Sequence, residues 1–321
     1  MKTKTLKIAI LGATSHIARG LITRLSREPL FSLYLFARST SDIHNFIDTL
    51  PQKDHTTILE IIDDYGGLSK NMYDVIINCI GVGTERKLQG DYAKYFTVTE
   101  EYDNLILHYL KHCCPDTLYI NFSSGAIYGR NFFTPASEDS TNCISINNIL
   151  PQDYYGIARL NSEAKHRSLR NFRIIDLRVF SYFSSLIDLE EGYFISDIID
   201  CILNNKTLET SDVNIVRDYI HPDDIFLLIL KCFETENINT SFDVMSSNPV
   251  DKWEIINYFS ENYGLRYSII NNLQSFSPTG SKNMYYSKFH NTSSIGFTPK
   301  YSSIETIQQE SEHILASRLK H

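Results

Sequence analysis

Apolar residues enter the chain as a short continuous run, Leu6–Leu11, and then recur at three- and four-residue spacing over residues 17–25. The first pattern marks a strand buried on both faces, the second an amphipathic helix. The alternation repeats. Residues 30–36 predict a second strand, 43–50 its helix, 57–62 a third strand and 75–79 a fourth. Residues 92–113 carry apolar positions at helical spacing, ahead of a strand over 118–122, and 172–179 predicts a sixth strand. Strands alternating with helices predict an α/β fold built on a doubly wound parallel sheet. Past residue 180 the rhythm loosens into helical stretches at 194–203, 223–233 and 252–259 among Asn- and Ser-rich connections. The expected organisation is a first domain over 1–180 and 212–246, with a smaller discontinuous lobe over 181–211 and 247–321. Residues 129–151 hold many turn formers and no period, which predicts a loop near a functional site.

Composition narrows the class of function. With 321 residues, 42% of them hydrophobic, the chain can build a proper core. A formal net charge of −8 without a basic run argues against a nucleic-acid surface or an anionic-membrane surface, and favours small-molecule chemistry. No stretch approaches the roughly 18 to 20 apolar residues of a membrane span, and the start, Met1-Lys2-Thr3-Lys4, leads into a strand rather than a signal peptide. A cytoplasmic location is expected. Cys79, Cys113, Cys114, Cys143, Cys201 and Cys232 form no C-x-x-C pair and are expected to be reduced, buried thiols. His108 and His112, four apart on one predicted helix, read as solvent-facing residues, so no metal is expected.

The chemistry concentrates in two segments. Ser123-Ser124-Gly125-Ala126-Ile127-Tyr128-Gly129 follows an apolar strand, and Tyr155-Gly156-Ile157-Ala158-Arg159 opens a helical pattern. Together they bring a hydroxyl and a phenol to the C-terminal edge of one sheet, where open α/β folds bind ligands. A phenol titrates near pH ~10 and serves as an acid–base group once a cation stands beside it, which a residue one helical turn on supplies. The arrangement resembles the extended short-chain dehydrogenase/reductase family of sugar-nucleotide epimerases, dehydratases and reductases, whose pattern is Ser/Thr-x-x-x-Tyr-Gly followed by Tyr-x-x-x-Lys. Arg159 stands where that pattern has Lys. The resemblance implies a Rossmann dinucleotide-binding domain with a substrate-binding lobe, Tyr155 as proton donor, Ser124 as the hydroxyl that orients the substrate oxygen, and Arg159 on the nicotinamide ribose. An arginine fork is bulkier and stays charged, so ribose contacts should survive in altered geometry.

Other segments match the same resemblance. Gly12-Ala13-Thr14-Ser15-His16-Ile17-Ala18 lies where the first strand turns into the first helix, a place for a pyrophosphate on backbone N–H groups. It is similar to G-x-x-G-x-x-G, with Ser15 and Ala18 replacing two glycines, and implies cofactor contacts from Gly12, Thr14, Ser15, His16 and Ile17. After the second strand come Arg38 and Ser39 with no carboxylate before Asp42, which favours the 2′-phosphate of NADP(H) over NAD(H), although NAD(H) remains open. By resemblance Asp63, Asn78, Cys79 and Gly81 line the adenine and ribose; a helix cap is the alternative for Asp63. Within Arg217-Asp218-Tyr219-Ile220-His221-Pro222-Asp223-Asp224 the resemblance puts Arg217 on the diphosphate of a nucleotide sugar and leaves His221 between structural and substrate-binding roles, while Asp223 and Asp224 read as caps of the next helix. Residues 177–181 depart from the family's Arg-x-x-Asn-x-Tyr-Gly-Pro.

Gly125-Ala126 stand where dehydratases carry an acid and a base, which argues against water elimination. The expected activity is an NADPH-dependent reductase of a nucleotide-linked 4-keto-6-deoxy sugar in surface polysaccharide synthesis. The alternatives are a nucleotide-sugar C4 epimerase and a non-catalytic NADP(H)-binding redox sensor. A homodimer through the helices over 92–113 and around Tyr155 is expected from the resemblance alone.

Overall fold

The structure, a computed structural model, describes residues 5–51, 57–82, 88–270 and 282–318; the start, Met1 to Lys4, lies outside them. Seven parallel strands form the central sheet: β1 (Leu6–Leu11), β2 (Phe31–Phe36), β3 (Ile58–Ile62), β4 (Val75–Asn78), β5 (Leu118–Ser124), β6 (Ile174–Val179) and β7 (Asn239–Val244), in the order β7-β6-β5-β4-β1-β2-β3. The predicted doubly wound α/β class is the one observed. Strand order reverses between β1 and β4, where Leu11 pairs with Phe36 on one side and Asn78 on the other. This topological switch opens the crevice that such folds use for ligands. Along β1 the pleat sends Ile8 and Ile10 into one core and Ala9 and Leu11 into the other, so the run is apolar throughout. The sequence pattern missed β7, because its first half, Asn239-Thr240-Ser241, is polar and only Phe242 and Val244 enter the core.

Helices among the described residues include α1 (His16–Leu25), α2 (Thr40–Ile47), α3 (Lys94–His112), α4 (Pro151–Ser168), α5 (Phe194–Leu203), α6 (Pro222–Glu234), α7 (Lys252–Tyr263) and α8 (Ser303–Arg318). The helix carrying Tyr155 starts at Pro151, whose fixed φ suits a first helical position, and Asp153 accepts from Leu150 N–H at 2.9 Å to close the first turn. A further core gathers Phe183, Ile195, Ile199, Val250, Phe259 and Leu315 from segments on either side of residues 212–246. Within 129–151 the expected loop is irregular and touches the second half of the chain through a bridge between Ala136 and Ser287.

Between α3, α4 and the sheet lies a buried polar network. His166, fully buried, bonds Asp103 through Nε2 at 2.7 Å and Asp176 through Nδ1 at 2.9 Å. Asn121 donates to Asp176 at 2.7 Å, Tyr119 to Asp103 at 2.9 Å, and Lys165 and Arg167 supply cations at 2.6 Å. Burial opposes charge on the imidazole, but the hydrogen bonds and charges of the two carboxylates prevail and raise its pKa to about 9.

One expectation is corrected here. The cysteines are all free thiols, but only Cys232 is buried; Cys113 and Cys143 are exposed, since they sit past a helix end and in a loop. The rings of His108 and His112 lie 4.4 Å apart, and no group of three metal ligands occurs among the described residues. No helix among those residues is long and apolar enough to cross a membrane.

Candidate active site

The C-terminal ends of β5 and α4's first turns meet at the candidate centre. Ser124 ends β5, 7% exposed, and its Oγ accepts from Ala126 N–H at 3.1 Å, which fixes the short 3₁₀ turn Gly125–Tyr128. Tyr155, half-buried, stands on α4 with its ring 5.3 Å from that of Tyr95. One turn later the Arg159 guanidinium lies over the Tyr155 ring at 5.4 Å. Arg159 is 5% exposed, donates to Phe122 O at 3.3 Å, and leaves its Nε buried without a partner. Its Nη2 lies where a Cβ of Gly81 would be, so glycine after β4 leaves the guanidinium room to lie there. The predicted trio Ser124, Tyr155 and Arg159 therefore borders one crevice edge, with a cation placed by helix periodicity.

Contacts behind these groups hold them in place. Glu163, one turn beyond Arg159, accepts from Ser123 Oγ at 2.6 Å and takes a forked contact from Arg178 at 2.7 and 3.0 Å. Arg178 also donates to the Tyr128 hydroxyl at 2.9 Å, which in turn bonds Asp243. The ends of β5, β6 and β7 are thus locked to α4. The sequence reading missed Glu163 because a lone helical glutamate ordinarily faces water.

At the dinucleotide turn, Gly12 adopts φ +73°, and a Cβ there would fall 2.8 Å from Ile80. The Ser15 side chain does not face the crevice: it caps α1 by accepting from Ala18 N–H at 3.3 Å, leaving the helix's first amides for a phosphate. Thr14 is half-buried, and Ile17 packs against the core below. His16 bonds Ser184 at 2.6 Å and meets the edge of Tyr182. Arg38 is exposed past β2, beside Tyr65 and Tyr102, whose rings are 4.8 Å apart; the Tyr65 hydroxyl donates to Phe36 O. Neither tyrosine stood out in the sequence.

Several expected cofactor ligands have other work. Ser39 caps α2, its Oγ accepting from Asp42 N–H at 3.4 Å. Asn78, 3% exposed, donates to Tyr119 and Asn121 and accepts from Ile80 N–H at 3.0 Å, so its amide is consumed inside the fold. Burial pushes the Cys79 thiol above its usual range. Asp63 is exposed, and the cap next to it is Asp64, which accepts from Gly66 N–H at 2.9 Å. The fit to a dinucleotide rests on Gly12, the α1 amides, Gly81 and the unpartnered Arg159 Nε.

Arg217 donates to Val216 O at 2.9 Å and to Lys282 O, and burial lowers its pKa. Lys282, which the sequence reading overlooked, is 7% exposed with its ammonium 4.2 Å from the centre of the Tyr285 ring. Burial and then the charge of Arg217 push its pKa down to about 7. No carboxylate among the described residues pairs with either cation. His221, left open between structural and substrate-binding roles, does structural work: its Nδ1 accepts from Asp223 N–H at 3.1 Å, capping α6, while its ring stacks on Tyr301 at 4.0 Å. Asp223 and Asp224 are correspondingly not the caps. Asp223 pairs with Arg24 at 2.6 Å, and Asp224 accepts from the Lys300 and Tyr301 amides at 3.0 Å.

The fold has counterparts among solved structures. A UDP-N-acetylglucosamine 4-epimerase from Methanobrevibacter ruminantium, in complex with UDP-N-acetylmuramic acid, is similar at a TM-score of 0.80 and 17% identity, over 98% of this chain and 99% of that one. A UDP-glucose-4-epimerase from Stenotrophomonas maltophila, with bound NAD and formylated UDP-arabinopyranose, gives 0.80 and 13%, over 98% and 99%. A UDP-glucuronic acid 4-epimerase variant from Bacillus cereus, with NAD and a fluorinated UDP-sugar, gives 0.76 and 16%, over 97% and 100%. At such identities the likeness is one of fold. No curated protein matches the sequence. The sequence model of the NAD dependent epimerase/dehydratase family, however, matches residues 8–244, and the chain belongs to that family.

Proposed function

We propose that the protein interconverts nucleoside-diphosphate sugars by reversible oxidation of a sugar carbinol, with 4-epimerisation as the net reaction. One observation carries the reading: Lys282 is buried beside half-buried Arg217, with no acidic partner for either among the described residues. Desolvation and mutual repulsion disfavour two such cations unless an anion joins them, and a diphosphate suits the pair. Bound NAD(P) would supply the hydride acceptor and donor. Tyr155 would take the carbinol proton and return it, Ser124 would hold the oxygen, and Arg159 would use its spare Nε–H on the ribose. The absence of an acid–base pair at Gly125-Ala126 favours epimerisation over elimination. Support also comes from the UDP-sugar epimerases of like fold. Residues 181–211 and 247–321 would form the sugar-binding lobe.

The test is incubation of the purified protein with UDP-glucose, UDP-N-acetylglucosamine and UDP-glucuronic acid without added reductant. A C4 epimer should accumulate to equilibrium. UDP should raise the melting temperature by mass action, and Arg217→Ala should abolish most of that rise. Failure of every UDP-sugar both to turn over and to stabilise the protein would remove this reading.

Exposed Arg38 favours a second reading, an NADPH-dependent reductase of a 4-keto sugar nucleotide. Under it NADPH binds more tightly than NADH, and Arg38→Ala erases the difference, about 1.5 to 3 kcal/mol for a charge-assisted contact. Equal dissociation constants for the two cofactors in the unmutated protein would count decisively against it.

A further inference from the structure

Ser124 Oγ has a second neighbour besides Ala126 N–H. The Tyr285 hydroxyl lies 3.2 Å away, brought there from 161 residues along the chain. Tyr285 sits on a two-residue strand, Met284–Tyr285, whose register sets it opposite Arg217. Its ring is 8% exposed, held edge-on by Phe132 at 4.8 Å and flanked by Phe180 at 5.2 Å. On the other side it carries the Lys282 ammonium. The ring therefore bridges the cation pair and the serine.

A serine hydroxyl offers two lone pairs and one hydrogen. Ala126 N–H takes one lone pair. We propose that Tyr285 is a positioning residue: its phenol donates to the other lone pair of Ser124, leaving the serine's only hydrogen to point at the substrate oxygen. The proposal rests on the sugar-nucleotide reading above. Burial holds the Tyr285 phenol above its ordinary pKa, so it remains a protonated donor across the working pH range. With the opposite polarity the serine would spend its hydrogen on Tyr285, and removing the phenol would set that hydrogen free.

Tyr285→Phe separates the two. It keeps the ring contacts and removes only the hydroxyl, and an unchanged melting-temperature rise with UDP verifies that fold and diphosphate site persist. Turnover of a UDP-sugar should fall about 5- to 10-fold in kcat, the worth of one neutral hydrogen bond, while KM stays within about twofold. In a Ser124→Ala background the same change should have no further effect, because the two residues act as one unit. An unchanged or raised kcat in Tyr285→Phe, or a full additional loss in the Ser124→Ala background, overturns the proposal. If the unmutated protein turns over no UDP-sugar, the underlying reading falls and takes this proposal with it; turnover with an indifferent Tyr285→Phe removes the proposal alone.

Discussion

Tyr155→Phe should lower turnover of a UDP-sugar by at least about 10²-fold, the low end for acid–base catalysis, while leaving cofactor affinity nearly unchanged. The substitution keeps the ring between Tyr95 and the Arg159 guanidinium, so packing and the nearby cation survive. Only the proton carrier is lost. Single-turnover kinetics with a UDP-sugar, paired with cofactor titration, reads both quantities. A variant with wild-type turnover would show that another hydroxyl moves the proton. Arg159→Lys, which restores the residue the family pattern carries, should retain activity and alter its pH profile, since an ammonium one turn along the helix reaches less far than a guanidinium. A chain inert until Arg159→Lys is made would be a binding protein derived from an enzyme.

His166→Ala should destabilise the fold by about 1.5 to 3 kcal/mol at pH 7, because it removes a charge-assisted hydrogen bond from the buried Asp103 and Asp176, which keep Lys165 and Arg167 as their remaining cations. Its pH dependence has a definite sign. The folded pKa is raised to about 9 from an ordinary value of 6.5, so the stabilisation is fully present below pH 6.5 and disappears as pH climbs through about 9. Denaturant unfolding of the two proteins should therefore show a large gap at pH 6 that narrows by pH 9.5. A gap independent of pH would mean that the imidazole titrates alike in the folded and unfolded states. Asp103 is affected in the complementary way: the bonds and charges of His166 and Lys165 outweigh its burial and hold its carboxyl below the usual range.

The α/β class, the strands from β1 to β6, the place of Ser124 at the end of β5 and the shared helix face of Tyr155 and Arg159 were legible in the sequence, because each depends on short-range geometry. A parallel strand covered on both faces must be apolar at consecutive positions, and residues four apart on a helix must share a face. The dinucleotide turn at Gly12 is equally local, since its positive φ selects glycine within the segment itself. Other roles depended on partners far along the chain. Lys282 meets Arg217 across 65 residues, Tyr285 meets Ser124 across 161, and His166 meets Asp103 across 63. In isolation each is an ordinary polar residue whose prior is the surface or a satisfied core. Asn78 and His221 show the converse, matching a family pattern locally while packing commits the Asn78 amide to the sheet interior and the His221 Nδ1 to a helix cap. Local periodicity determines which residues can reach the crevice edge. Which of them face a ligand there is decided by where the remaining hydrogen-bonding and charged groups are already satisfied, and that is known only once the chain has closed on itself.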